Sequence, residues 1–260
     1  MPTVHVNDID MYYEIHGEGY PLVMILGMGM NIASFNNPEF IRMFAEQYQV
    51  IAFDNRGVGR SSKPDTPFTV ETMAQDTIGL MDAIGIGRAH VKGGSLGGAV
   101  AQILAAEHPE RVNGLVLSGA ASRYPFLMKT MVCLAPKVPF MRKKSVQMAE
   151  PLFREPYPPT ETTYLNQCVA GASFDGRKYH GRIRAPTLIT NMAHDQYVPM
   201  KYTRELMEGI RGSRLELIDR DHLAYLTEPE LIARPALAFL AEVDANAAVS
   251  GLAGNPADVR

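Results

Sequence analysis

The stretch HVKGGSLGGAV, residues 90–100, decides how the chain is read. Four glycines surround one serine, Ser95. The lead-in AHV has strand character, and LGGAVAQILAAEHPE after the serine reads as a helix of small residues. Strand, tight turn and helix in that order form the setting of a G-x-S-x-G nucleophile elbow. Such a turn strains the serine backbone and exposes its hydroxyl. Gly93 and Gly97 keep side chains away from neighbouring backbone, and Gly98 and Ala99 let the new helix pack closely. The helix N-terminus turns unpaired N–H groups toward developing negative charge. A plain strand-to-helix turn and a phosphate-binding loop compete with this reading. The latter lacks its Gly-Lys-Ser/Thr signature, because Lys92 lies on the wrong side of the glycines.

Outward from Ser95, strand and helix patterns alternate. TVHV and IDMYYEI flank a turn, and PLVMIL is an almost wholly apolar run of the kind covered on both faces. Residues 38–47 read as a helix, QVIAF as a strand, VETMAQDTIGLMDAIG as a helix, and VNGLVLSG as a strand. The pattern resumes with APTLIT, PMKYTRELMEGI, RLELID and PELIARPALAFLAEV, where Pro235 is expected to mark an early turn or kink. Alternation of this kind predicts an α/β fold with a mostly parallel sheet flanked by helices. Between Ala121 and Arg182 the rhythm breaks into Met-, Phe-, Pro- and Tyr-rich helical pieces, read as an inserted cap. The expected division is a core of residues 1–120 and 183–245, a cap of 121–182 and a flexible tail of 246–260.

A nucleophilic serine needs a base and a group that orients it. Among seven histidines, His194 and His222 are best placed, and His222 lies just beyond the strand RLELID. Loops there reach the C-terminal edge of a parallel sheet, where such sites lie. Asp195 follows the strand PTLIT, whereas Asp219 and Asp221 are too near His222 in sequence to be the first choice. The order Ser95, Asp195, His222 is the one expected for this chemistry on an α/β sheet.

Composition bounds the alternatives. With 260 residues the chain can build one substantial core and a small insertion. A net charge of −3 provides no general attraction to nucleic acid or an anionic membrane, although it leaves room for a local basic patch. Cys133 and Cys168 have no metal-like spacing; a disulfide between them is possible, but the chain does not resemble a secreted disulfide scaffold. The N-terminus shows no cationic start or apolar signal core, and no apolar run approaches the ~20 residues that span a bilayer. The expectation is a cytoplasmic protein acting on a small molecule and water, with no nucleic-acid or membrane partner, no metal and no organic cofactor. A homo-oligomer formed through the apolar cap fits the sequence as well.

Four stretches together resemble the α/β-hydrolase fold superfamily over nearly the whole chain: LGMG at 26–29, DNRGVGRS at 54–61, GGSLGG at 93–98, and HDQYVP with DHLAYLTEPE at 194–199 and 221–230. The resemblance implies an eight-stranded sheet with the cap inserted after strand six. It also implies that the backbone N–H groups of Met28 and Leu96 form an oxyanion hole. Two positions depart from many members: Leu26 stands where a histidine is common, and Gly94 precedes the nucleophile. The first leaves the anchoring of the oxyanion loop open; the second either widens the pocket or loosens the elbow. Haloalkane dehalogenases and epoxide hydrolases, which are similar in fold, need an aspartate at position 95.

The expected activity is hydrolysis of a carboxylic ester or related acyl bond on a small to medium apolar substrate. Carbon–carbon hydrolysis of a diketone, lactonase or perhydrolase chemistry, and ligand binding without turnover are the alternatives. Asp54, Arg56 and Asp76 are expected to be structural, and Arg142–Lys144 to be a wet face of the cap. Phe126, Leu127, Met128, Met131, Val132, Phe140, Met141, Met148, Leu152 and Phe153 are expected to pack the cap, some of them facing substrate. No arginine is assigned to the pocket.

Overall fold

A computed structural model describes residues 2–222, 224–249 and 251, with the side chains of Leu127, Met128 and Leu226 outside that description. The chain runs β1 (Thr3–Val6), β2 (Ile9–His16), β3 (Pro21–Ile25), α1 (Asn37–Ala45), β4 (Gln49–Phe53), α2 (Val70–Ala83), β5 (Ala89–Gly94), α3 (Leu96–Glu107) and β6 (Val112–Ser118). Five helices follow: α4 (Phe126–Leu134), α5 (Pro139–Met148), α6 (Glu150–Arg154), α7 (Glu161–Ser173) and α8 (Arg177–His180). The sheet resumes with β7 (Thr187–Met192), α9 (Met200–Gly209) and β8 (Arg214–Ile218), and the chain closes with α10 (Ala224–Thr227) and α11 (Pro229–Val249).

The eight strands form one sheet in the order β1-β2-β4-β3-β5-β6-β7-β8. β2 pairs antiparallel with β1 and β4; from β4 to β8 every pairing is parallel. β3 sits between β4 and β5, with Val23 level with both Ile51 and Val91. Its apolar run is explained by that position, since helices cover both faces. Leu80, Val100 and Leu104 of α2 and α3 close one core, and Ile41, Phe44, Ala236 and Leu240 of α1 and α11 close the other. The chain leaves β3 toward β4 on one side and later returns to β5 on the other. Such a reversal opens a crevice at the C-terminal ends of the two strands. Both the Leu26–Met30 loop and Ser95 emerge there.

α11 passes through Pro235 as one helix and extends to Val249, beyond the expected start of the tail at 246. A proline inside a helix costs about 3 kcal/mol; burial of Ile232, Ala233, Ala236, Phe239 and Leu240 on the sheet offsets it. The rest of that tail, residues 250 and 252–260, lies outside the described residues. Cys133 and Cys168 are both free thiols rather than a disulfide. Cys133 on α4 approaches Ser173, whereas Cys168 on α7 points at Met28. Among the described residues, no helix is long and apolar enough to cross a membrane.

Candidate active site

Ser95 caps the start of α3 with φ +50° and ψ −114°, a conformation rarely adopted by a residue with a side chain. Its strain is held by the fold: Ser95 N–H donates to Ser118 O at 2.9 Å on the neighbouring strand, and Gly98 N–H donates back to Ser95 O at 2.9 Å. A Cβ on Gly93 would overlap the Gly97 carbonyl, and one on Gly97 would overlap the Ile25 carbonyl. A Cβ on Gly94 meets nothing within 4 Å, so this glycine leaves space beside the serine and is not required for elbow packing.

Asp195 lies in the loop after β7, with its side chain 1% exposed. One carboxylate oxygen accepts from the Tyr197 and Val198 N–H groups, both at 2.8 Å. The other oxygen lies 2.7 Å from His222 Nδ1, in the loop after β8. An ionised carboxylate can only accept, so Nδ1 carries the hydrogen and Nε2 keeps its lone pair. The imidazole is flanked by the Tyr197 and Tyr225 rings, with centroids 5.0 and 5.1 Å away. His194, the other histidine considered, is exposed and pairs with Asp219 at 2.9 Å.

Ser95, Met28 and Leu96 line one pocket with Tyr124, Phe174 and Tyr197. Its cavity is about 30 Å³, room for about two water molecules. Met28 Sδ lies 3.3 Å from Cys168 Sγ. Burial pushes that thiol up to about 11, so it stays protonated and donates to the thioether. Burial also raises the Tyr124 phenol, and the nearby Asp195 carboxylate adds to the shift.

The supporting residues are tightly paired. The buried Arg56 guanidinium binds Asp76, with one contact at 2.9 Å, and Asp8 at 2.7 Å. Asp54 accepts from the Ile32 and Arg60 N–H groups at 2.8 Å each, and burial still lifts its carboxyl above the usual range. Gln167 of α7 accepts from Gly29 N–H at 2.8 Å and donates to Arg56 O at 2.9 Å.

The pocket walls differ from those expected. Phe126, Met131, Phe140 and Met148 turn outward, the first 80% exposed. Leu152 packs on Gly29, and Phe153 meets Tyr164 edge-on. Leu127 and Met128 have side chains outside the described residues. Sequence reasoning misses Tyr124, Phe174 and Tyr197 as walls; the position of Tyr197 two residues after Asp195 is the available signal for one of them. Arg123 also borders the pocket, but its Nε is held by Glu205 at 3.1 Å. Among the described residues, no group of three or more His, Cys, Asp or Glu side chains could hold a metal ion.

The alpha/beta hydrolase fold family matches residues 20–146. A protein of Azorhizobium caulinodans named "Putative carbamate hydrolase RutD" is 33% identical, over 94% of this chain and 100% of its own length. The 3-oxoadipate enol-lactonase 2 of Acinetobacter baylyi is 26% identical, over 88% of this chain and 92% of its own. The crystal structure of the enol-lactonase from Burkholderia xenovorans LB400 superposes with a TM-score of 0.79 at 25% identity, covering 92% of this chain and 100% of that one. The chain belongs to the alpha/beta hydrolase fold family.

Proposed function

We infer that the protein is a serine hydrolase that cleaves a carboxylic ester or related acyl bond through an acyl-enzyme. One observation carries this most directly: Ser95 is held in a strained backbone conformation at the pocket, while Asp195 fixes the histidine tautomer beside the pocket wall. The names of the relatives, an enol-lactonase and a carbamate hydrolase, are consistent with acyl-bond hydrolysis.

His222 Nε2 removes the Ser95 hydroxyl proton as Oγ attacks the acyl carbon. The Met28 and Leu96 N–H groups receive the oxyanion. Donors fixed before reaction are worth about 10²–10³ in rate each. His222 then protonates the leaving group, which departs and leaves the acyl group on Ser95. Water attacks that ester, giving its proton to His222, and the acid leaves with the serine restored. Asp195 stays ionised throughout and stabilises the imidazolium.

The helices between β6 and β7 act in this scheme as a cap over the strand ends. Tyr124, Phe174 and Tyr197 favour a compact apolar acyl or alcohol group, and the small cavity requires larger groups to displace the walls. A cytoplasmic site of action fits the two free thiols.

Turnover of p-nitrophenyl acetate, butyrate and octanoate, beside an enol-lactone and a carbamate, tests the substrate class. The acetate and butyrate esters are expected to give the highest kcat/KM of the ester series. Absence of turnover on all five by folded protein would contradict the proposal.

A further inference from the structure

With Leu26 in place of the common histidine, the oxyanion loop needs an anchor of another kind. We propose that Gln167, on α7 of the insertion, is the positioning residue for the oxyanion hole. It clamps the backbone at Gly29 to the backbone at Arg56 and thereby aims the Met28 N–H. This rests on Met28 being an oxyanion donor, as in the function proposed above.

Gln167 is completely buried, 0% exposed, and both ends of its amide are used. Gly29 N–H can only donate, and Arg56 C=O can only accept. A neutral amide satisfies both at once, with its oxygen toward Gly29 and its NH2 toward Arg56. The far end of the clamp is fixed, because the Arg56 guanidinium is buried against Asp76 and Asp8. The near end is fixed from two other directions. Gly29 adopts φ +70°, and Leu152 of α6 occupies the place a Cβ would take. Met28 itself is held through its side chain by Cys168, the next residue on α7, with Gly171 one turn further beside it.

The Gly29 nitrogen is the next backbone nitrogen after the Met28 nitrogen, so fixing one constrains the direction of the other. A donor must lie about 2.7–3.1 Å from the oxyanion, and a displacement of about 1 Å costs roughly 10²-fold. Docking of the insertion and formation of the oxyanion hole are thus coupled, with the Gln167 amide as the hydrogen-bonded link at Gly29. The hydrogen bond between Asn55 Nδ2 and Leu26 O, at 3.3 Å, is a longer contact and holds only the start of the loop.

The test compares wild type, Q167L, Q167E and S95A on p-nitrophenyl acetate between pH 6 and 8, with thermal unfolding of each. Q167L removes both hydrogen bonds at similar volume. Its kcat is expected to fall about 10–100-fold with KM nearly unchanged. Q167E carries the test alone should Q167L fail to fold. The carboxyl group that Q167E introduces would, when ionised, still accept from Gly29 but oppose the Arg56 carbonyl; when protonated, it would restore both bonds. The ratio of Q167E to wild-type kcat is therefore expected to rise as pH falls.

A folded Q167L with wild-type kcat, or a Q167E ratio that does not change with pH, would overturn the proposal. S95A separates the two levels. If S95A is inactive while the Gln167 variants keep full kcat, the clamp alone fails. If S95A keeps its turnover, the serine mechanism fails and the clamp falls with it.

Discussion

Asp195 and His222 meet through a 2.7 Å hydrogen bond between loops that follow neighbouring parallel strands, β7 and β8. The second Asp195 oxygen is already taken by two backbone N–H groups, so the carboxylate cannot rotate without losing them. In Asp195→Asn the remaining oxygen keeps those backbone bonds and the new NH2 faces His222 Nδ1. That forces the imidazole into the opposite tautomer, with hydrogen on Nε2 and no base toward Ser95. A fall in kcat of about 10³–10⁴ is expected with the fold retained, read from steady-state kinetics and near-UV circular dichroism. A folded D195N with kcat within tenfold of wild type would remove Asp195 from the mechanism.

The elbow glycines are not equivalent. Gly97→Ala drives a methyl into the Ile25 carbonyl, which is backbone and cannot swing aside, whereas Gly94→Ala enters open space. Overpacking of this kind costs roughly 1–3 kcal/mol. G97A is expected to lower the urea midpoint and to cut kcat by displacing the start of α3; G94A is expected to keep the wild-type midpoint. Equal midpoints for the two variants would contradict this account of the turn.

Lys92, three residues before Ser95, is 4% exposed, and its side-chain nitrogen lies 4.5 Å from the centre of the Phe40 ring. Burial lowers its pKa to about 7. In the unfolded chain it titrates near 10.5, so between those values the unfolded state holds the extra proton. Its contribution to stability therefore worsens as pH falls from 10.5 toward 7, and its full cost is present below the folded pKa. Lys92→Met is expected to be more stable than wild type at pH 7 by roughly 2–4 kcal/mol, with the difference closing near pH 10.5. Urea unfolding at the two pH values checks it. A less stable K92M at pH 7 would mean that the contact with Phe40 outweighs burial of the charge.

Much of this architecture is legible because it is written in local pattern. PLVMI is apolar without interruption because helices cover both faces of β3, and Gly93 and Gly97 are glycines because backbone passes where their Cβ atoms would be. Asp195 can be preferred to Asp219 from its place after a strand; in the fold Asp219 pairs with His194 at the surface. The insertion is less legible. Its short helices are punctuated by proline, so apolar content does not tell which face Phe126, Phe140 or Met148 presents, and all three point outward. Pocket walls come instead from Tyr124, Phe174 and Tyr197, which lie far apart in sequence. Gln167 escapes the sequence reading, although a signal exists: Thr163, Gln167, Ala170 and Gly171 share a helical face, and one amide among such small residues marks a specific buried partner.

The proposed mechanism requires Ser95 to be the nucleophile. The most direct measurement is steady-state hydrolysis of p-nitrophenyl acetate by wild type and S95A side by side, with matched unfolding curves. We expect turnover by wild type and a loss of several orders of magnitude in S95A, with the fold intact. Near-normal turnover by folded S95A would contradict the account.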